Sequence, residues 1–290
     1  MSLKDFIRRT PLARSLLAAP ISARRAWINY TSAKSRDVLS RLERLVVSDV
    51  TIQVDEFDGQ FVLGPQSHLL HRLLAEGEYE RDLVKLFLKH LDPVRDVIDV
   101  GANVGFFTVL AARSLTSGRV LAAEPTRAAF ARLSHNIDLN GVEDAVIMYN
   151  GLISDKDCTS TINVVAGREE YSSMGDVVHP AVIGEKTLTE TIDAKKIDTL
   201  VETHNLTPGL IKVDVEGAEG LVFEGARETL KRHRPIVISE FSRPLLEANG
   251  SSPERLAKLF DECDYDVFDA HDQFARAGHL EFSDLLAVPR

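Results

Sequence analysis

The sequence predicts an α/β fold in which a parallel sheet is covered by helices on both faces. Apolar runs of strand length alternate with helical patterns from residue 96 onward, and this alternation is typical of right-handed βαβ units. The run Asp96–Val100 has the character of a central strand buried on both faces. It leads directly into a glycine turn, Gly101–Gly105. A glycine turn between a strand and a helix indicates a nucleoside-like cofactor bound at the strand ends.

The residues before the sheet predict a hairpin and two helices. Val50–Leu63 alternates apolar and polar residues around Asp58-Gly59, which is a hairpin signal. Leucines at positions 69, 70, 73 and 74 follow a helical period. A second helix opens at Gly77–Glu80 and is stopped by Asp92-Pro93.

The elements of the predicted sheet then follow in a regular order. Strands are expected over residues 96–100, 119–124 and 145–153, with helices between them over 105–115 and 126–139. After an irregular stretch the pattern resumes over 197–204. It continues with a strand at 210–215, a helix at 218–233, a strand at 235–240, a helix at 253–262, and strands at 265–268 and 284–288.

Residues 155–187 interrupt this rhythm. They are polar and rich in Ser, Thr and Gly, and they predict a short strand at 159–165 plus a loop over the carboxyl edge of the sheet. A long loop within a regular α/β domain is more often a lid or specificity element than a plain connection. His179 in this loop could act as a general base or lie exposed to solvent. Tyr171–Ser173 could contact substrate or form a turn.

The composition is that of an ordinary globular protein. The chain has 290 residues, of which 44% are hydrophobic and 27% charged. Cys158 and Cys263 have no C-x-x-C spacing, so neither a disulfide framework nor a zinc site is expected. No apolar run reaches transmembrane length, and a cytoplasmic location is expected. The net charge of −10 argues against a nucleic-acid partner.

The charge is distributed unevenly along the chain. Residues 1–44 contain ten Lys or Arg and three acids, a net charge of +7, so the remainder carries −17. Such a leader could be a membrane-surface helix, a partner-docking arm, a targeting peptide, or an extension packed on the domain or on a second subunit. A homodimer contact would be sought there. We treat residues 1–75 as an N-terminal extension with a helical arm and β-hairpin, and 76–290 as the main domain.

Three motifs resemble those of the FkbM type of S-adenosylmethionine-dependent methyltransferase. Asp99-Val-Gly-Ala-Asn-Val-Gly105 resembles the first motif of that family, and Glu124-Pro125 resembles its ribose-binding acid. Ile211-Lys-Val-Asp-Val-Glu-Gly-Ala-Glu219 resembles its fourth-strand signature and is the most specific of the three. The segments Gly77–Glu80 and Leu286–Pro289 also have counterparts, and the resemblance covers roughly residues 75–290.

This resemblance implies a class I methyltransferase fold, with a Rossmann-like, seven-stranded, mostly parallel sheet that contains one antiparallel strand. It implies S-adenosylmethionine as the cofactor and an oxygen of a small-molecule or sugar-like acceptor as the methyl receiver. The positions that it assigns to the cofactor are Glu80, Asp99, Gly101, Asn103, Gly105, Thr108, Glu124, Pro125, Ser154 and Asp155.

Elementary chemistry supports several of these cofactor positions. The helix that starts at residues 104–106 offers unpaired N–H groups to a carboxylate. Asp99 can serve an ammonium group directly or through water. Glu124 can accept ribose hydroxyls, although it could also simply precede a helix that begins near Pro125. Ser154 and Asp155 are candidates for the adenine amino group, and the same pair also suits a turn.

Methyl transfer from a sulfonium is an in-line displacement, and a base is needed when the acceptor is a hydroxyl. Asp214, Glu216 and Glu240 are expected on the same rim of the sheet. One could orient or deprotonate an alcohol, or two could hold a divalent metal, which is the minority interpretation. Glu219 could instead cap the following helix. Lys212 is expected on the same face of its strand as Asp214, where it would pair with that acid or line the rim.

Two other function classes stay open at this point. A nicotinamide-dependent oxidoreductase expects G-x-G-x-x-G after the first strand, whereas this chain has Gly101-Ala-Asn-Val-Gly105. A non-catalytic scaffold could keep the fold and dock through the basic arm. Intact acids at positions 99, 124 and 214 favour an enzyme over that scaffold.

Overall fold

The structure is a computed structural model that describes residues 48–65, 67–76, 78–165, 187–240, 242–270 and 284–290. The basic arm over residues 1–44, His179 and Tyr171–Ser173 lie outside the described residues. The predictions made for them therefore stay predictions.

Two compact units divide the chain, and the smaller one contains residues 48–52 and 63–79 among those described. It includes helix α1, His68–Glu76. The His68 and Tyr79 rings meet edge to face with their centroids 6.3 Å apart, and His71 Nε2 lies 2.9 Å from the Pro65 carbonyl oxygen. The larger unit comprises residues 53–62 and 80–290.

Strands and helices alternate as the pattern predicts. The strands are β1 Val50–Val54, β2 Gly59–Leu63, β3 Asp96–Val100, β4 Val120–Ala123, β5 Val146–Tyr149, β6 Leu152–Ile153, β7 Cys158–Val165, β8 Thr187–Lys195, β9 Pro208–Val213, β10 Ile236–Ser239, β11 Tyr265–Asp269 and β12 Leu285–Pro289. The further helices are α2 Arg81–His90, α3 Phe106–Ser114, α4 Arg127–Asn140, α5 Ile197–His204, α6 Glu219–Glu224, α7 Arg227–His233, α8 Arg243–Ala248 and α9 Pro253–Glu262.

Seven of the described strands form one sheet in the order β11-β12-β10-β9-β3-β4-β5. The pairs β10–β9, β9–β3, β3–β4 and β4–β5 are parallel, whereas β12 runs antiparallel to both of its neighbours. The predicted class I methyltransferase fold, with one antiparallel strand, is confirmed. A smaller sheet has the order β6-β8-β7, and β1 and β2 form a two-stranded sheet.

The core explains why the central strands are apolar. Every residue of β3, β4 and β9 is buried, because helices cover both faces of a parallel sheet. Backbone bonds continue beyond the strand ends: the Asp214 amide donates to the Val100 carbonyl and the Glu240 amide to the Val213 carbonyl. The residues that follow four neighbouring strands therefore gather along one edge of the sheet.

Two predicted elements are wrong in their extent. The strand expected over 145–153 is two strands, because β5 ends at Tyr149 and Leu152-Ile153 pairs with β8 in the smaller sheet. The helix expected over 218–233 is two short helices with a break at Gly225. A Cβ at Gly225 would lie 2.0 Å from the Ser154 carbonyl oxygen, so the break accommodates a close backbone contact.

Two further elements were not predicted. Strand β8 begins where the irregular segment was expected to end, and its residues 187–194 pair antiparallel with all of β7. Helix α8 lies between β10 and α9. Among the described residues, no helix combines the length and the apolar character needed to cross a membrane.

Candidate active site

The glycine turn is fixed by backbone geometry at both of its ends. Gly101 has φ +76°, and a Cβ there would lie 1.8 Å from the Asp214 carbonyl oxygen. Gly105 has φ +93°, and a Cβ would lie 2.7 Å from Leu133 Cδ1. Both dihedrals lie in the left-handed region that glycine adopts without strain. The turn thus brings β3 against the end of β9 and sets the start of α3 against α4.

Asp99 lies at the centre of this edge and is only 1% exposed. Its Oδ2 atom accepts a 2.6 Å hydrogen bond from the Thr108 hydroxyl, which comes from the first turn of α3. Its Oδ1 atom is buried without a hydrogen-bond partner in the described structure. Burial raises the pKa of Asp99, against the opposing positive charge of Lys212. One carboxylate oxygen therefore secures α3, while the other receives no hydrogen bond from the described residues.

Glu124 follows β4 and is 5% exposed. Its Oε2 atom accepts from the Asn103 amide at 2.9 Å, and its Oε1 atom accepts from the Thr126 amide at 2.9 Å and hydroxyl at 2.7 Å. Burial raises the pKa of Glu124 to about 7, although these donors favour the ionised form. Since a carboxylate has about four acceptor positions, one position on Oε2 remains for a ligand hydroxyl.

The residues beside Glu124 include one that sequence reasoning missed. Asn150, directly after β5, donates from Nδ2 to the carbonyl oxygens of Glu124 at 2.9 Å and Pro125 at 3.1 Å. Asn150 could have been identified from its position directly after a strand of the sheet. It was missed because the strand predicted over 145–153 continues through it. Asn150 fixes the backbone that carries the Glu124 carboxylate.

Ser154 and Asp155 occupy a different setting from the one expected. They follow β6 in the smaller sheet and not the third strand of the main sheet. Ser154 is buried, and its hydroxyl lies 3.1 Å from Asp155 Oδ1, while Asp155 is exposed. Their assignment to the adenine amino group stays a prediction.

Lys212 is the buried cation of this edge. Its side chain is 5% exposed, and Nζ donates to Asp214 Oδ2 at 3.2 Å and lies 4.9 Å from the centroid of the Phe107 ring. Burial lowers the pKa of Lys212, but Asp214, Asp99, Glu80 and Glu240 together outweigh it and raise that pKa. The predicted pairing of Lys212 with Asp214 is confirmed.

Glu240 follows β10 and faces the same group of charges. The negative charge of Asp214 is the largest of the effects that raise the pKa of Glu240 to about 9, followed by partial burial and the charges of Asp284 and Glu80. These effects favour the protonated form of Glu240, whereas Asp214 accepts a hydrogen bond from the Lys212 ammonium. Two carboxyl groups at neighbouring strand ends thus have different surroundings, and different surroundings can separate an acid from a base.

The remaining acids of the β9 signature have different surroundings. Glu216 adopts φ +50° in the turn before α6. Glu219 is 1% exposed, and its Oε1 atom accepts from the Gly217 amide at 3.0 Å, in the turn before α6. This polar contact does not cap α6, whose N-cap Ala218 has no side-chain cap hydrogen bond. The Oε2 atom of Glu219 is buried without a partner in the described structure, and burial raises the pKa of Glu219 to about 7.

Glu80 belongs to the group of charges at this edge, because it affects the pKa values of other residues there. It precedes α2 with φ +41° and acts on both Lys212 and Glu240. In the described part of the chain, no group of three His, Cys, Asp or Glu side chains is arranged to hold a metal ion.

Comparison with known proteins identifies the family. The family model described as "Methyltransferase FkbM domain" matches residues 99–267. Methyltransferase 1 of Beauveria bassiana is 31% identical over 144 residues, which is 44% of this chain and 57% of that protein. The hexuronic acid methyltransferase AglP of Haloferax volcanii is 23% identical over 232 residues, 79% of this chain and 87% of that protein.

Among solved structures, methyltransferase FkbM from Methylobacillus flagellatus aligns with a TM-score of 0.43 at 14% identity, covering 88% of this chain and 59% of that chain. The chain thus spans little more than half the length of the Beauveria and Methylobacillus proteins. The family match extends from Asp99 of the glycine turn to β11 and covers more than half of the chain. The chain therefore belongs to the FkbM methyltransferase family.

Proposed function

We propose that the protein transfers the methyl group of S-adenosylmethionine to a hydroxyl group of a sugar-like or other small-molecule acceptor. The observation that carries the proposal is the pair of buried carboxylates at adjacent strand ends, each with an oxygen still able to accept a hydrogen bond. Family membership supports the same assignment.

The side chains present fit this cofactor. Asp99 Oδ1 has no donor among the described residues and suits the ammonium group, and Glu124 Oε2 suits a ribose hydroxyl. The first turn of α3 points its N–H groups toward the same edge, where the cofactor carboxylate would lie. Ser154 and Asp155 would contact the adenine amino group. When bound, S-adenosylmethionine supplies an electrophilic methyl group on its sulfonium.

The acceptor edge is suited to proton transfer from an alcohol. The acceptor oxygen forms a bond to the methyl carbon, the carbon–sulfur bond breaks, and its electron pair stays on sulfur. We assign Asp214 to receive the hydroxyl proton, because its carboxylate lies at the acceptor edge and is oriented by the 3.2 Å hydrogen bond from Lys212 Nζ. Protonated Glu240 would donate a hydrogen bond to another acceptor oxygen, and Glu216 and His179 stay candidates for further contacts.

The charges favour a neutral hydroxyl over a carboxylate as the acceptor group. The negative charges of Asp214, Asp284 and Glu80 all act on Glu240 at this edge, and Lys212 is already paired with Asp214. A uronic acid carboxylate would add a further negative charge there. A sugar as the acceptor is supported by the similarity to AglP, whose name specifies a hexuronic acid.

Calorimetry with S-adenosylhomocysteine and with NAD tests the cofactor. We expect micromolar binding of S-adenosylhomocysteine and none of NAD. Glu124→Ala should weaken S-adenosylhomocysteine binding by about 1–3 kcal/mol, the cost of leaving a buried hydroxyl without its partner. Asp144→Ala, at an exposed acid before β5, should leave it unchanged.

The outcomes separate the three function classes. NAD binding alone would establish the oxidoreductase alternative, and binding of neither ligand would support a non-catalytic scaffold. Equal affinity of the wild type and Glu124→Ala would remove Glu124 from the ribose role.

A second experiment tests the acceptor chemistry and the role of Asp214. Methyl-labelled S-adenosylmethionine is offered with neutral sugars and with uronic acids, and the labelled product is treated with alkali. A methyl ether survives alkali, whereas a methyl ester releases methanol. We expect an alkali-stable product, and an alkali-labile one would contradict hydroxyl methylation.

For the Asp214→Asn variant we expect turnover to fall while S-adenosylhomocysteine affinity is kept, because Asp214 acts on the acceptor. Calorimetry and initial rates, measured on the same preparation, check this. Parallel losses of affinity and turnover would instead make Asp214 a cofactor or structural residue.

A further inference from the structure

Asn136 of α4 joins the glycine turn to strand β2. Its side chain is fully buried, with 0% exposure. Nδ2 donates to the Val104 carbonyl at 2.8 Å, and Oδ1 accepts from the Val62 amide at 2.8 Å. The two partners determine the orientation of the amide, because a flipped Asn136 would lose both bonds. One side chain therefore links two segments that are far apart in the sequence.

Asn140, one helical turn later, makes a similar contact with β2 but none with the glycine turn; its side chain also donates to the Asn136 carbonyl at 2.7 Å and accepts from Arg113 at 3.4 Å. Its Oδ1 atom accepts from the Gln60 amide at 2.9 Å, and its Nδ2 atom donates to the Gln60 carbonyl at 2.7 Å. Residues four apart on a helix face lie about 6 Å apart, close to the spacing of alternate residues on a strand. Two asparagines on α4 thus pair with the backbone of β2 as a neighbouring strand would.

Asn136 supplies one of the hydrogen bonds that fix the glycine turn. The Ala102 amide donates to the Ala123 carbonyl at 3.0 Å, and the Asn103 amide donates to Glu124 Oε2 at 2.9 Å. The Gly101 amide donates to the Ala123 carbonyl and the Gly105 amide to the Ala102 carbonyl, both at 2.9 Å. The Val104 carbonyl is held from outside the turn by Asn136. These successive peptide groups carry the turn from the end of β3 to the start of α3.

Aromatic contacts connect the same hairpin with α3. Phe57 and Phe61 lie 5.3 Å and 5.7 Å from Phe106, measured between ring centroids. Phe106 is the first residue of α3 and lies 5.4 Å from Phe107, whose ring contacts Lys212. The hairpin therefore packs against α3 at the point where the glycine turn ends.

We propose that Asn136 is a positioning residue that holds the glycine turn in its cofactor-binding conformation by tying the Val104 carbonyl to the backbone of β2. This inference rests on the proposed function, because the turn binds the cofactor only in a methyltransferase. The donor to Val104 comes from outside the turn, so its removal leaves the Val104–Gly105 peptide group with the bond from the Gly105 amide to the Ala102 carbonyl, which lies within the turn itself. The amide of Asn103 is then less well directed at Glu124.

Asn136→Ala and Asn140→Ala are the matched variants for the test. Both remove contacts with β2, but only the first removes the donor to Val104. We expect the affinity of Asn136→Ala for S-adenosylhomocysteine to fall about tenfold, equivalent to roughly 1.4 kcal/mol. Its turnover at saturating S-adenosylmethionine should be kept, and affinity should change less than about twofold in Asn140→Ala. Equal losses of affinity in the two variants would overturn the proposal.

Hydrogen exchange in the cofactor-free proteins is the readout that does not depend on activity. Amides of residues 103–109 should exchange faster in Asn136→Ala than in Asn140→Ala, and unchanged exchange there would contradict the inference. If Asn136→Ala does not fold, Asn136→Asp at pH 8 keeps an acceptor for Val62 and removes the donor. If the wild type does not bind S-adenosylhomocysteine, the proposed function is refuted. The role of Asn136 in holding the Val104 carbonyl is still tested, because the hydrogen-exchange experiment needs no cofactor.

Discussion

Single buried charges determine what this edge of the sheet can do. Lys212 is the cation around which Asp99, Asp214, Glu80 and Glu240 are arranged. A buried ammonium is tolerated only when it is paired, and here its partner Asp214 lies 3.2 Å away. The lysine therefore offsets part of the negative charge that a cationic cofactor would otherwise have to balance.

Glu219 leads to a prediction about stability and pH. Its folded-state pKa of about 7 lies above its ordinary value of 4.5, so the folded protein binds the proton more tightly than the unfolded chain. Its contribution to stability is therefore most favourable below pH 4.5, decreases as the pH rises toward 7, and stays reduced above that. Glu219→Gln removes the charge and should raise the free energy of unfolding at pH 8 by about 1–3 kcal/mol.

Denaturant titrations at pH 8 and pH 4.5 check this prediction. The gain should largely vanish at pH 4.5, where the wild-type carboxyl group is already protonated in the folded state. The prediction would be contradicted if the difference in free energy of unfolding between Glu219→Gln and the wild type were the same at both pH values. That result would mean that a donor satisfies Oε2 and keeps Glu219 ionised.

At the scale of elements, the connection after β9 depends on short helices and close backbone contacts. Helices α6 and α7 are separated at Gly225, which lies against the Ser154 carbonyl. Gly225 has φ −77°, a value that any residue adopts, so the requirement for glycine here is steric and not conformational.

Gly225→Ala should therefore destabilise the protein by about 1–3 kcal/mol or more, the cost of overpacking a filled site. Gly141→Ala is the matched control, because nothing lies within 4 Å of its Cβ position and its cost comes only from φ +63°, about 1–2 kcal/mol. Thermal unfolding compares the two. A smaller loss for Gly225→Ala than for Gly141→Ala would contradict the steric explanation.

The element boundaries show what local pattern can predict. β3 was predicted with its exact bounds because strand, turn and helix signals coincide there. The split between β5 and β6 was missed because both segments are apolar, and only pairing with the distant β8 separates them. The break at Gly225 was missed for a similar reason, since its cause is the carbonyl of Ser154, which is remote in sequence.

At the scale of the whole molecule, the sheet topology could be predicted from the sequence, but the side-chain hydrogen bonds that join distant segments could not. Alternating strands and helices, together with the family motifs, were enough to predict a seven-stranded sheet with one antiparallel strand. The contacts of Asn136 and Asn150 depend on which backbone groups the fold brings near them. The pattern of residue types along the chain does not predict those distances.

The attachment of β2 to α4 uses main-chain atoms of the strand and side chains of the helix. Evolution could therefore exchange the side chains at positions 60 and 62 without loosening the joint, since every residue except proline retains the amide hydrogen that the asparagines require. The two helix positions have no such freedom. Mutational tolerance across this joint should be one-sided, permissive on the strand and strict on the helix.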